Sequence, residues 1–298
     1  MKRIIHILLA TALLAVTSCS KDEKKESGAS TAISEQDKQL NITVLLDLSD
    51  RIDPEVVPEK PEHYQRDIAV INELISIFKK DMDAKGGHRS KGKFKVISSP
   101  NPQDPNINKI ASELNVDLSQ MEIKEKKKVF DEISDKFRKN LESIYTTTIK
   151  NKQYIGSDIW RFFKNDVKDY CVSDDKNYKN ILVILTDGYI YHEDSKEISG
   201  NRSSYLLPSI IQQHNLRAPD WKDKMQKGDI GFITPRNDLE DLQILVLEVT
   251  PSKANLADED IIKEYFNKWF KEMKVKKYEI YNTDLPEHTK IRIEKFFK

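Results

Sequence analysis

Two near-continuous apolar stretches, Ile42 to Leu46 and Ile181 to Leu185, each run directly into an acidic turn. The first meets Asp47-Leu48-Ser49-Asp50-Arg51 and the second meets Thr186-Asp187-Gly188. Stretches this short and this apolar read as strands buried on both faces. Phe94 to Ile97, Leu242 to Val249 and Tyr278 to Tyr281 repeat the pattern. Between them the apolar period switches to three and four: Tyr64, Ile68, Ile71, Ile75, Phe78 and Met82 form one helical stripe, which Gly86-Gly87 ends. Phe130, Ile133, Phe137, Leu141 and Ile144 form a second. Gly156-Ser157-Asp158 opens a third helix, with Ile159, Phe163, Val167 and Tyr170 facing inward. Ile262, Phe266, Trp269 (or Phe270) and Met273 form a fourth stripe, and Pro286 to Phe297 a closing helix with Asp284 as its cap. Ile110, Leu114, Val116 and Leu118 alternate as a half-buried edge strand would.

Strands alternating with helices define an α/β fold. The expected form is a mainly parallel, doubly wound (Rossmann-like) sheet with helices on both faces. Ligands of such sheets gather at the carboxyl ends of the strands. Two carboxyls converging there repel each other, and oxygen ligands around them suit Mg²⁺, Ca²⁺ or Mn²⁺ better than zinc. Residues 190–240 are less regular and read as an insertion beside the Asp187 strand end.

Ahead of the domain, Lys2-Arg3 precedes an apolar run from Ile4 to Val16, which ends in Val16-Thr17-Ser18-Cys19. A basic start, a short apolar core and a small-residue end make a cleaved secretory signal; a membrane-spanning helix needs about 20 apolar residues. The last four residues resemble the lipobox of bacterial lipoproteins. That resemblance implies a signal peptide over 1–18 and acylation of Cys19 (palmitate among its chains), with tethering to a cell-envelope membrane. Residues 19–40, rich in Ser, Lys, Glu, Asp and Gly, read as a flexible tether, and residues 41–298 as the folded domain. The run Ser20 to Glu26 resembles the signals that carry some lipoproteins to the outer face of the outer membrane. With Cys19 lipidated, Cys171 has no disulfide partner and reads as a small buried residue at a helix end.

Asp47-x-Ser49-x-Arg51 after the first strand, Gly156-Ser157-Asp158-Ile159 before a helix, and Thr186-Asp187-Gly188 after a later strand resemble the von Willebrand factor type A domain. The resemblance implies a metal-ion-dependent adhesion site. Asp47, Ser49, Ser157 and Asp187 fall on its ligand positions, and a protein partner's carboxylate completes the coordination of Mg²⁺ or Ca²⁺. Ser157 stands where the family has Thr and keeps the hydroxyl. Arg51 stands where the family has a second Ser, and a guanidinium has no lone pair for a metal. It would repel the cation, or replace it by pairing with Asp47 and Asp187, or swing out and leave the position to water.

Other chemistry is weakly represented. Lys+Arg and Asp+Glu both number 49, so the net charge of zero gives no argument for nucleic acid. No Gly-x-Ser-x-Gly elbow, phosphate-binding glycine loop or His-Glu-x-x-His occurs. His192-Glu193-Asp194 reads as a solvated loop, and His63 and the remaining histidines show no metal spacing. The expectation is a lipid-anchored envelope protein, non-enzymatic, that binds a protein or surface partner at the strand ends. The alternatives are a metal-assisted envelope hydrolase using Asp47 and Asp187, or a structural component of an envelope complex.

Overall fold

The computed structural model describes residues 37–251 and 255–298. The expected signal peptide, Cys19 and most of the expected tether therefore lie outside the described residues. Gln39 and Leu40, assigned above to the tether, are instead the first residues of a strand.

Six strands build the central sheet: β1 (Gln39–Leu46), β2 (Lys93–Ser98), β3 (Asn115–Asp117), β4 (Tyr178–Leu185), β8 (Leu242–Val249) and β9 (Lys277–Asn282). Three short strands come between β4 and β8: β5 (Ile198–Ser199), β6 (Arg202–Ser203) and β7 (Gly231–Phe232). The order across the main sheet is β3-β2-β1-β4-β8-β9, and every pair is parallel except β2 with β3. Side chains alternate between two cores, as the pleat requires. Ile42, Val44, Leu46, Ile181, Val183 and Leu185 face one, while Leu45, Leu182 and Ile184 face the other. The first core is covered by α1 (His63–Arg89), α2 (Pro105–Ser112), α3 (Ile123–Asn151) and α9 (Pro286–Phe297). The second is covered by α4 (Ile159–Arg161), α5 (Val167–Cys171) and α8 (Ala257–Glu272), with the α6 (Pro208–Gln213) and α7 (Trp221–Lys227) segment outside them. Helices on both faces of a mostly parallel sheet agree with the expected fold class. Among the described residues, no helix is long and apolar enough to cross a membrane.

Local expectations changed in four places. Ile110 lies in α2, not in a strand, and only Asn115–Asp117 pairs with β2. Asp104 caps α2 through Asn106 N (2.8 Å), and Pro105 is its first residue. Between α4 and α5 a π-turn, Phe162–Asp166, adds a residue to the helical turn and rotates the face of α5. Tyr170 is consequently 44 % exposed, and the next residue, Cys171, is buried at the helix end. Helix α1 continues past the expected stop to Arg89, across a kink at Gly86 (φ 69°). Asp284 does not cap α9 in the usual way: it accepts from the adjacent Leu285 N (2.8 Å) and holds Arg292 (2.5 Å) and His288 (3.0 Å).

The insertion is ordered and packed. Phe232 of β7 stacks among Tyr265, Phe266 and Trp269 of α8, with ring centroids 5.2, 5.7 and 4.9 Å away. Arg202 grips Glu272 through two bonds of 2.6 and 2.8 Å. Arg217 grips the fully buried Asp258 at 2.8 Å on each oxygen. Paired guanidinium bonds of this kind fix orientation as well as charge.

Candidate functional site

The site grows from the register of β1 and β4. These strands pair from Gln39 with Tyr178 to Leu46 with Leu185, so Asp47 and Thr186 leave the sheet side by side. Asp47 N donates to Leu185 O (3.1 Å), and the Thr186 hydroxyl donates to Asp47 Oδ2 (2.7 Å). Ser49 N donates to Asp47 Oδ1 (3.0 Å), curling the chain into a 3₁₀ turn over Asp50–Ile52. Each Asp47 oxygen is thus held by one donor, which leaves further lone pairs on a carboxyl buried to 1 % exposure.

Asp187 sits one residue beyond Thr186, with its Oδ1 bonded to Tyr189 N (2.9 Å). Burial and then the neighbouring Asp47 push its carboxyl pKa up to about 7, against the opposing pull of that amide and of Arg51. Gly188 follows at φ 97°, where a Cβ would strike Ile262 of α8 at 2.5 Å, so only glycine fits the turn.

The third loop is wedged between two strand ends. Asp158 N donates to Ser99 O beyond β2 (2.9 Å), and Ser157 N donates to Tyr191 O beyond β4 (2.8 Å). Gly156, at φ 87°, lies so close to Tyr191 that a Cβ would meet its carbonyl oxygen at 2.2 Å. Ser157 is 2 % exposed, and its hydroxyl has no hydrogen-bond partner. The cap of α4 is made by Asp158, which accepts from Arg161 N (3.2 Å). A buried hydroxyl without a partner is costly, and here it belongs to a residue placed on a ligand position.

Arg51 has partners besides the Asp47 carboxyl. It is 2 % exposed and turns beneath the turn toward α1. Its Nη2 donates to Asp67 Oδ2 (2.5 Å) and Leu185 O (3.0 Å), and its Nε donates to Asp47 O (3.0 Å). Asp47 Oδ2 lies at 3.9 Å from Nε, so the Asp47 side chain is a secondary partner. The Tyr145 hydroxyl, from α3, donates to the same Asp67 oxygen (2.8 Å). Burial would lower the Arg51 pKa, but Asp67 and Asp47 outweigh it and hold the guanidinium charged.

Three neighbours were not anticipated. Asp67 falls on the apolar stripe of α1, three residues after Tyr64 and four before Ile71, and an acid in that place signals a buried cation. His63 is 2 % exposed, and burial followed by Arg51 lowers its pKa. His192, read as part of a solvated loop, is largely buried, with Nδ1 3.4 Å from Asp158 Oδ2.

The fit to a divalent cation is chemical. Asp47 and Asp187 carry carboxyls, and the partnerless Ser157 and half-buried Ser49 carry hydroxyls, so these four residues offer oxygen atoms alone. Arg51 lies closest to Asp67 (2.5 Å) and only 3.9 Å from Asp47 Oδ2, so its charge is shared between Asp67 and the pair. Among the described residues, no group of three or more His, Cys, Asp or Glu side chains is placed to hold a metal, so any cation here relies on serine oxygens. Comparison with protein-family models, with curated proteins and with solved structures finds no significant match to this chain.

Proposed function

We propose that the domain is a cation-dependent binding module of the von Willebrand factor type A kind, carried on the cell envelope by a lipid at Cys19. Asp47, Asp187, Ser49 and Ser157 hold Mg²⁺ or Ca²⁺, and a protein partner supplies a carboxylate to the open coordination position. The observation that carries the reading is the pairing of two carboxyls at adjacent strand ends beside a loop whose buried serine hydroxyl has no partner. Arg51, the departure from the family pattern, takes up Asp67 and so leaves the cation position to the oxygens. The sheet order, with β1 and β4 central and adjacent, fits the same family.

The surroundings suit a protein partner better than a small substrate. Among the described residues, three of the seven large, exposed apolar side chains, Val56, Leu256 and Leu285, lie in segments leaving the carboxyl ends of β1, β8 and β9. Apolar side chains around an acidic, cation-bearing crevice are what a docking face requires. Titrating the full-length chain with Mg²⁺ and Ca²⁺ by calorimetry tests the reading. Wild type gives one-site binding heat, which Asp187→Ala and Ser157→Ala weaken at least about tenfold while far-UV circular dichroism stays the same. Equal heats in wild type and Asp187→Ala would end it.

A further inference from the structure

A second polar site lies under the far edge of the sheet. Pairing between β8 and β9 slips between Val246 and Val249, and Glu248, inside that bulge, takes φ 67°. A glutamate in the left-handed region within a strand is strained, and bulges are a means of re-aiming a side chain. The re-aiming is visible here. Leu247 packs in the core that contains Val70 and Ile293, Glu248 faces a cavity lined by the same two residues, and Val249 returns to the opposite core. Two consecutive side chains thus share one face, and the second is a carboxyl only 2 % exposed.

The cavity has a volume of about 250 Å³ and lies between α1 and α9, with Ala69, Val70, Pro286 and Ile293 as apolar wall. It is smaller than the roughly 300–1,000 Å³ of drug-sized pockets, which selects a small ligand. Around it the charges are paired in a way that omits Glu248. Arg66 Nη1 is on Glu59 (3.2 Å), Lys290 on Glu73 (3.2 Å) and Arg292 on Asp284 (2.5 Å). Among the described residues, Glu248 receives one side-chain bond, from the Thr283 hydroxyl to Oε2 (3.1 Å). Two buried atoms in the lining have no partner: Glu73 Oε1, an acceptor, and Arg66 Nε, a donor. Burial, and after it Asp67, raises the Glu248 carboxyl to about 7 against the weaker pull of the Thr283 hydroxyl, Arg51 and Arg66.

We propose that this cavity binds a small zwitterionic amine with the head group of a free α-amino acid. Its ammonium faces Glu248 and Glu73, its carboxylate faces Arg66 Nε, and a short apolar side chain lies against Val70 and Ile293. An ammonium offers three donors to the two open acceptor oxygens, and the adjacent carboxylate meets the one open donor. The site is separate from the strand-end crevice and does not depend on a cation there.

L-leucine and L-alanine are the probes, titrated by calorimetry into the full-length chain, with N-acetyl-leucine (no ammonium) and leucinamide (no carboxylate) as controls. At least one amino acid binds with a Kd of about 1 mM or tighter, and both controls bind at least about tenfold more weakly. Glu248→Gln weakens the amino acid by a similar factor; should it not fold, Arg66→Gln serves in its place. The proposal is overturned if neither amino acid gives heat at about 10 mM, if either control matches them, or if the folded variant binds as wild type does.

Discussion

Replacing Arg51 by methionine is expected to lower the unfolding free energy by about 3–5 kcal/mol, the usual loss when one member of a buried pair is removed. Its guanidinium joins four partners at once: the Asp67 carboxylate, two backbone carbonyls at the ends of β1 and β4, and more distantly the Asp47 side chain. Without it, Asp67 keeps, among the described residues, only the Tyr145 hydroxyl. The Leu185 and Asp47 carbonyls also lose a donor. Urea unfolding measures the effect. The double variant Arg51→Met with Asp67→Asn should recover most of the loss, because no buried charge then stands alone. A single variant within about 1 kcal/mol of wild type would show that Arg51 does not hold the strand ends together.

The second large effect is on the pH dependence of stability. The Asp187 carboxyl titrates near 7 in the fold and at the ordinary 3.8 when unfolded. Between those values the folded state keeps a proton that the unfolded chain has released. The contribution of this carboxyl to stability without metal is therefore greatest below about pH 4, falls as pH rises through the window, and levels off above about 7. A rise of this size corresponds to about 4 kcal/mol, which the partial exposure of Asp187 reduces to roughly 2–3 kcal/mol. Glu248, raised to about 7 by burial and Asp67, acts in the same direction. In chelator, wild type should unfold at lower urea at pH 8 than at pH 5, and Asp187→Asn should flatten the difference by its own share. Saturating Mg²⁺ should restore wild type at pH 8, because a ligand of the native state stabilises it by mass action. A slope unchanged in Asp187→Asn would place the titrating group elsewhere.

Much of the fold was legible because periodicity and burial coincide. Leu242 to Val249 and Pro286 to Phe297 are an apolar strand and a helix at the expected bounds. Two features that were missed turn on one residue that shifts the register. The additional residue of the π-turn exchanges Tyr170 for Cys171, and the bulge at Glu248 moves a carboxyl across the sheet. Neither is visible as composition. The helix at Pro105 was legible, since Asp104-Pro105 is a start signal, but the alternation from Ile110 to Leu118 obscured it. At the candidate site, Asp47 and Asp187 were readable because strand ends are fixed by the apolar stretches. The Asp67 partner of Arg51 was not read, although an acid on an apolar stripe needs a cation. Contacts across 16 residues of chain and two elements depend on how loop and helix pack, which no local pattern records.

The most direct measurement is anomalous diffraction from crystals of the chain grown with Mn²⁺, a stand-in for Mg²⁺ with the same preference for oxygen. A single peak is expected at the carboxyl ends of β1 and β4, about 2.1 Å from the coordinating oxygens drawn from Asp47, Asp187, Ser49 and Ser157. Saturated crystals with no peak there, and with Asp187 and the Ser157 hydroxyl instead bonded to groups of the protein itself, would contradict the account.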